Sequence, residues 1–565
     1  MSDLEGNFDV IILGTGLVES IAAAALSKAG FKVAHLDNNS YYGGDEANLT
    51  LDELARWADN RSTPLEKYEK ISSYLVAQRT KFTSITRSSA VPDHARHYSI
   101  SLAPSLIPSV GPFISSLIAS GVSRYGGYRL LERVGIYSSS KGLQNVPGSK
   151  GDIFKSTLSL IEKRRLMRFF KFATGKFESS NELQGHEQTP FPEFLQSKFS
   201  LPQEIVDAIV YALAFCASTA DVTLHALTRL RNYFQSAGRY GASPFLVGHY
   251  GGLGEIAQGF CRVSAVNGGV YILDKKTEDI TPPSTSADKF VAHLADFPSP
   301  LTAGVLIAAD DQLPESLQPL LTKAQNTDES LMARCIAIID QPILFPPVLS
   351  SEGLSGDGVN FAPVSSGEED AGGQSSASTR LASALAEAPL VDTSIIIFPP
   401  CSVEGGSSIK VAQAFTTGAG TFSAPEGKYV VYVSIPIKDG EDPEALMEPY
   451  LNTVFSLASV SEPLFKVAYV QHISFPSSST PTIDLPPIFV TPALPPHVAE
   501  ISDYANSAAE SLFNRVVDHL KAKIPQAWTR ERSGEEGGGD GDVFAEIMVP
   551  MWPPLGDEEE AGEDE

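Results

Sequence analysis

The run Phe8-Asp-Val-Ile-Ile-Leu-Gly14-Thr-Gly16-Leu-Val-Glu19 decides the fold. An apolar strand leads into a Gly-x-Gly turn, a helical segment follows over Ser20–Lys28, and a second apolar stretch, Lys32–Leu36, ends in the acid Asp37. That order describes a βαβ unit of the dinucleotide-binding type. In such a unit small residues let the backbone approach a pyrophosphate, and the helix N-terminus offers it free N–H groups and partial positive charge. The fingerprint breaks at its third glycine position, where Glu19 places a bulky anion. A carboxylate in a first helical turn is itself stabilised by the dipole, by about 0.3–1 kcal/mol. Glu19 is therefore expected to take the charge role of a phosphate. The alternative is a working site that tolerates the change by turning Glu19 outward. Gly14, Gly16, Glu19 and Asp37 are read as a vestigial dinucleotide motif, and the motif alone does not define an oxidoreductase.

The chain of 565 residues, 42% apolar and 19% charged, is long enough for two or more packed units. No window approaches the roughly 18–20 apolar residues that span a bilayer. The acidic start Ser2-Asp3-Leu4-Glu5 lacks the basic region of a secretory signal, so a cytoplasmic location is expected. Cys216, Cys261, Cys335 and Cys401 have neither metal-ligand nor disulfide-framework spacing, which fits a reducing compartment. A net charge of −26 argues against nucleic acid or an anionic membrane as a direct electrostatic partner. His94, His97, His225 and His249 show no metal-ligand spacing, and there is no Gly-x-Ser-x-Gly elbow or Gly-Lys-Ser/Thr loop. No catalytic residue and no metal site are expected.

The expected fold class is α/β, a large domain with a Rossmann-type sheet plus an inserted all-α domain. Residues 1–125 and 235–532 form the large domain, 126–234 the helical one, and 533–565 an acidic, mostly disordered tail, with a further low-complexity insertion at 350–387. Leu51, Leu54, Trp57 and Ala58 mark a helical stretch within Leu49–Thr80. The most readable helix is Asp152–Phe177, starting near Asp152 or Ser156, with Leu166, Phe169, Phe170, Ala173 and Phe177 on its apolar stripe. Phe172 falls off that stripe, near Arg165 and Arg168, a composition typical of interface hot spots. Packing against a neighbouring helix is the other reading. Pro202–Ala217 is apolar almost all round, which marks a buried helix or one that touches something apolar.

Two strings carry a resemblance. The first is Asp37-Asn-Asn-Ser-Tyr41-Tyr42-Gly43-Gly44-Asp45-Glu46. The second runs from Arg239-Tyr240-Gly241 through Tyr250-Gly-Gly-Leu-Gly254-Glu255-Ile-Ala-Gln258-Gly259-Phe260-Cys-Arg262 to Gly268-Gly269-Val-Tyr271-Ile272-Leu273. Both resemble the signatures of the family of Rab escort proteins and Rab GDP-dissociation inhibitors. Flavin-dependent amine oxidases look like relatives in fold, but carry Arg where this chain has Asp45, so the FAD site is expected to be non-functional and no cofactor is expected.

The resemblance implies a Rab GTPase surface made of Tyr42, Glu255, Arg262 and Ile272, with Arg239 and Tyr240 close by in sequence. An internal Glu255–Arg262 salt bridge is the alternative. Gly251-Gly252 and Ala257 depart from the family pattern. Val146–Phe154 and Glu162–Phe170 look more like escort proteins than dissociation inhibitors, which implies docking on the Rab geranylgeranyl transferase alpha/beta heterodimer through Phe172, with Arg168 beside it. It further implies a geranylgeranyl lipid held between helices such as Pro202–Ala217, an apolar patch for the Rab tail at Tyr98–Pro112, and transient membrane contact during delivery. A GDP-bound Rab is the expected partner, with a dissociation inhibitor as the near rival and a flavoenzyme as the distant one.

Overall fold

Asn7–Leu13 is buried along nearly its whole length because it is a central strand, paired in parallel with Val33–Asp37 on one side and Leu301–Ala308 on the other. The structure is a computed structural model, and it describes residues 6–64, 72–146, 158–284, 288–297, 299–317, 327–346, 390–476, 487–523 and 550–552. Val270–Leu273 adds a parallel edge strand beside Val33–Asp37, while Phe290–Leu294 and Thr277–Thr281 extend the other side antiparallel. Ile488–Val490 also pairs in parallel with Leu301–Ala308. The crossover helix Leu17–Lys28 is buried from Leu17 to Ser27. Its run Ala22–Ala25 lets two other helices, Leu253–Val266 and Ile501–Lys523, pack closely on it. Ser20 meets the Cys261 sulfur at 3.3 Å and Ser27 meets Ser264 at 2.8 Å, so the first turn of the fold and the second signature string form one packed unit.

A second sheet of eight strands is ordered Phe82–Arg87, Phe465–Pro476, Thr327–Ile339, Tyr429–Ile437, Ala412–Thr417, Ser394–Phe398, Arg133–Ser138, Gly142–Asn145. Period-two alternation splits its faces. Ala333, Cys335, Ala337 and Ile339 face the helix Pro443–Leu457, whereas Ile336 and Ile338 join the core that holds Trp57, Tyr432 and Tyr469.

Three expectations change. The segment 126–234 opens with strands, not helices: Tyr128–Leu130 pairs with Phe245–Gly248, and Arg133–Ser138 pairs in parallel with Ser394–Phe398. Both partners are far away in the chain, so local periodicity carried no sign of them. The helical part is Leu160–Ala173, Phe191–Phe199, Gln203–Asp207, a π-helical turn at Ala208–Leu213 and Thr223–Ser236. Within Leu49–Thr80 there are two helices, Leu51–Ser62, with a Thr50/Glu53 capping box, and Ser73–Lys81. The start points Asp152 and Ser156 lie outside the described residues, as do 350–387 and most of 533–565. The described helix starts with a Ser159/Glu162 capping box. Within the tail, Met551 is buried, and Trp552 donates to the Ser116 hydroxyl at 2.8 Å while stacking on Phe260.

Candidate functional site: a filled dinucleotide cradle and the face beside it

Gly14 turns at φ +95°, and the chain enters the helix at Leu17. The first free N–H of that helix, on Leu17, points at the Glu46 carboxylate at 2.9 Å. This is the donor a pyrophosphate would take. The phosphate's place is thus shared by Glu46 and Glu19, where the sequence reading put Glu19 alone. Glu19 is not turned outward: it is buried, and its carboxyl accepts from the Thr491 hydroxyl and from its own backbone N–H in the first helical turn. A Cβ on Gly16 would lie 2.5 Å from Glu19 Oε2 and 3.1 Å from Glu46 Oε2, so both carboxyls crowd the space over the second glycine. Glu46 is delivered there by Gly43, whose φ of +99° and contact with Ala47 leave no room for a side chain.

Burial pushes the Glu19 carboxyl up to about 7 and the Glu46 carboxyl up to about 8, the latter raised further by the neighbouring Asp45. Asp45 stands where flavoprotein relatives were expected to carry Arg. Burial alone would raise its pKa, but the ion pair with Lys81 holds it below the ordinary value. Gln78 bridges Asp45 at 3.1 Å and Asp311 at 2.5 Å, and accepts from Arg61. Burial raises Asp311 to about 6.

Asp37, the acid expected on a ribose hydroxyl, is consumed internally. It accepts from the Thr15 amide at 2.7 Å and hydroxyl at 2.6 Å, from the Asn39 amide at 2.8 Å and side chain at 3.0 Å, and from Gln312 at 3.3 Å. Burial still raises its pKa. A dinucleotide does not fit these residues: its pyrophosphate place holds two carboxyls and its ribose acceptor has no free lone pair. Among the described residues no cluster of His, Cys, Asp or Glu could hold a metal ion, and no helix is long and apolar enough to cross a membrane.

The two signature strings meet directly. A Cβ on Gly254 would strike Asn48 N at 2.6 Å and Glu46 O at 2.8 Å, so only glycine lets the Leu253–Val266 helix lie on the Glu46–Asn48 turn. Tyr42 packs edge-on against Tyr271, with ring centres 6.0 Å apart. Glu255 and Arg262, two turns apart, share one side of the Leu253–Val266 helix, Arg262 exposed and Glu255 half-buried. They are not an ion pair. Arg262 lies over the Tyr125 ring at 4.4 Å, and burial raises the Glu255 pKa. Ile272 packs with Val270 against the core of Phe8, Leu13 and Leu36, while Tyr271 takes the place beside Tyr42. Arg239 and Tyr240 are both exposed and stack at 5.3 Å in the turn after Thr223–Ser236. Glu46, Thr491, Lys81, Tyr125 and Tyr271 went unread. Glu46 lay inside the quoted string, and the only signal for it was a carboxylate two residues after Gly-Gly.

On the helical insert, Phe172 is not a lone exposed ring. It is half-buried beside Phe199, Phe194 and Phe177, at 5.2, 6.0 and 6.1 Å, because Phe191–Phe199 crosses the helix there and widens its apolar face. Arg168 is exposed, lies over Phe199 at 5.3 Å and reaches Glu182 at 3.7 Å. Ile205, Val206, Ile209, Val210 and Phe215 are core residues, and in the Tyr98–Pro112 run Leu102, Leu106 and Ile107 are buried, which removes them as an open apolar patch.

The fold and the filled cradle define a protein of flavoprotein-like architecture whose phosphate site is closed by its own carboxyls. Residues 4–91 and 81–346 match the family described as GDP dissociation inhibitor, and the chain belongs to that family. It is 32% identical over 339 residues to the Rab proteins geranylgeranyltransferase component A of Candida albicans, covering 59% of this chain and 50% of that protein. The Saccharomyces cerevisiae protein of the same name is 29% identical over 431 residues, 75% of this chain and 61% of that one. Rab escort protein 1 of Arabidopsis thaliana is 33% identical over 304 residues, 47% and 54% of the two chains. The chain thus spans about half to three-fifths of the length of the curated relatives it matches. In fold it is similar to a Rab GDI from Plasmodium falciparum (TM-score 0.61, 21% identity, 91% and 98% of the two chains) and to an oxidoreductase from Methanosarcina mazei (0.52, 14%, 89% and 99%).

Proposed function

We propose that the chain is a Rab escort protein. It binds GDP-form Rab GTPases, presents them to the Rab geranylgeranyl transferase heterodimer for prenylation of C-terminal cysteines, then shields the lipid and delivers the Rab to membranes by transient contact. It makes no bond itself and uses no flavin. The observation that carries the reading is the meeting of the two signature strings: Gly254 seats on the Glu46–Asn48 turn, Tyr42 packs on Tyr271, and Arg262 stands exposed on the same helix as Gly254. The Arg262–Tyr125 stack on that face, an arginine on an exposed tyrosine, is a composition enriched at binding hot spots. The names of the relatives point the same way. Docking on the transferase is assigned to the helix Leu160–Ala173, with Arg168 and the exposed edge of Phe172 in contact.

The test is reconstitution. Unprenylated GDP-bound Rab, geranylgeranyl diphosphate and the transferase heterodimer are mixed with and without the purified chain, and lipid transfer is measured. Transfer that depends on the chain is the expected result. Rab binding without transfer moves the assignment to a dissociation inhibitor, and an absorbance band near 450 nm, general to bound flavin, overturns the non-enzymatic reading.

A further inference from the structure

A cavity of about 660 Å³ lies beside the filled cradle, within the ~300–1,000 Å³ typical of small-molecule sites. One wall carries Glu19, Asp45, Glu46 and Asp311, with Lys81 as their only paired cation among the described residues. Acids alone would make no site. The wall from the eight-stranded sheet adds an independent feature, the Arg334 guanidinium. Arg334 is 8% exposed, its Nε has no hydrogen-bond partner, and among the described residues no carboxylate pairs with it. A buried guanidinium N–H left without an acceptor is costly. Its neighbours across the strands, Ser434 and Tyr469, do not supply one. The rest of the lining mixes apolar Val18, Ile473 and Leu494 with Asp310, Gln471 and the Glu329–His472 pair, whose carboxylate and imidazole meet at 2.9 Å.

We propose that this cavity binds a small amphoteric ligand, its ammonium group seated against Glu19 and Glu46 and its carboxylate on Arg334. A pure cation leaves Arg334 unpaired, a pure anion meets the acid wall, and a dinucleotide is excluded by the carboxyls over Gly16. Glu19 and Glu46 face each other, and around them stand Lys81, Asp45, Asp311, the Thr491 hydroxyl and the Leu17 amide. Since burial raises both carboxyls into the neutral range, seating an ammonium there displaces protons. Affinity therefore rises with pH between about 6 and 8.5.

The probes are 6-aminohexanoate, hexylamine and hexanoate, titrated calorimetrically into the full chain in buffers of different ionisation enthalpy. The amino acid is expected to bind at least about tenfold more tightly than either single-ended analogue, with net proton release. Arg334→Met should remove its advantage over hexylamine, and Glu46→Gln should reduce the protons released. No saturable binding of 6-aminohexanoate, equal binding by hexylamine, or unchanged affinity in folded Arg334→Met each overturns the proposal. Should Arg334→Met fail to fold, the comparison of hexylamine with 6-aminohexanoate on the native chain and on Glu46→Gln decides it. The result is independent of Rab binding.

Discussion

A single carboxylate shows how far residue-level reading reaches. The sequence revealed that an anion replaces a phosphate at the Leu17–Lys28 helix. It missed that a second carboxylate, Glu46, joins Glu19 there, because that depends on the left-handed turn at Gly43, which aims Glu46 at the Leu17 N–H. The folded pKa of Glu46, about 8, lies above its ordinary 4.5, so folding takes up a proton. Stability from that proton is full below about 4.5 and is lost as pH rises towards 8. Glu46→Gln keeps an acceptor for the Leu17 amide without the ionisation. Urea unfolding is expected to show the variant gaining on the native chain by up to about 1.4 kcal/mol per pH unit between pH 5.5 and 7.5, and a difference independent of pH would mean that Glu46 is ionised throughout. Arg262 tests the opposite kind of residue. It is exposed and stacks on Tyr125 rather than bridging Glu255, so Arg262→Ala should leave the melting temperature within about 2 °C while weakening Rab binding about tenfold or more. Unchanged Rab affinity in surface plasmon resonance removes it from the binding face.

At the scale of elements, what was legible followed period and punctuation. The βαβ unit, the apolar stripe Leu166–Phe169–Phe170–Ala173 and the Leu51–Ala58 periodicity all correspond to elements whose burial is local to one helix or strand. What escaped depended on distant partners. Arg133–Ser138 joins the sheet through the distant Ser394–Phe398 on one side and closes a short hairpin with Gly142–Asn145 on the other, and Phe172 is half-buried because Phe191–Phe199 crosses its helix. Removing the ring should therefore act on two properties. Phe172→Ala is expected to cost about 1–3 kcal/mol, below the 3–5 of a fully buried ring, and to weaken transferase binding. Phe172→Leu refills the apolar space without restoring the ring. Recovery of stability alone assigns the ring to docking, and recovery of both in parallel assigns it to packing.

The seven-stranded and eight-stranded sheets meet through charge as well as apolar packing, and one residue sits at the joint. Lys81 ends the helix Ser73–Lys81, the next residue opens the strand Phe82–Arg87 of the eight-stranded sheet, and its ammonium reaches Asp45 and the field of Asp311 and Glu46 from the Rossmann-type side. Burial alone would lower the Lys81 pKa, but these acids raise it above its ordinary value. Asp45, held low by Lys81, contributes stability above its unfolded pKa of 3.8 that is lost as pH falls through its depressed folded value. In Lys81→Met that carboxylate has no cation and must stay ionised at a cost or take a proton. With Lys81 28% and Asp45 17% exposed, solvent screens part of the loss. The expected destabilisation is about 2–4 kcal/mol at pH 8, shrinking towards pH 5, where Asp45, Glu46 and Asp311 can all protonate. Thermal melts of the full chain at the two pH values check it. An equal loss at both would mean that Lys81 joins the sheets by its methylene stem, and the acid wall would then be discharged by protons rather than by this lysine.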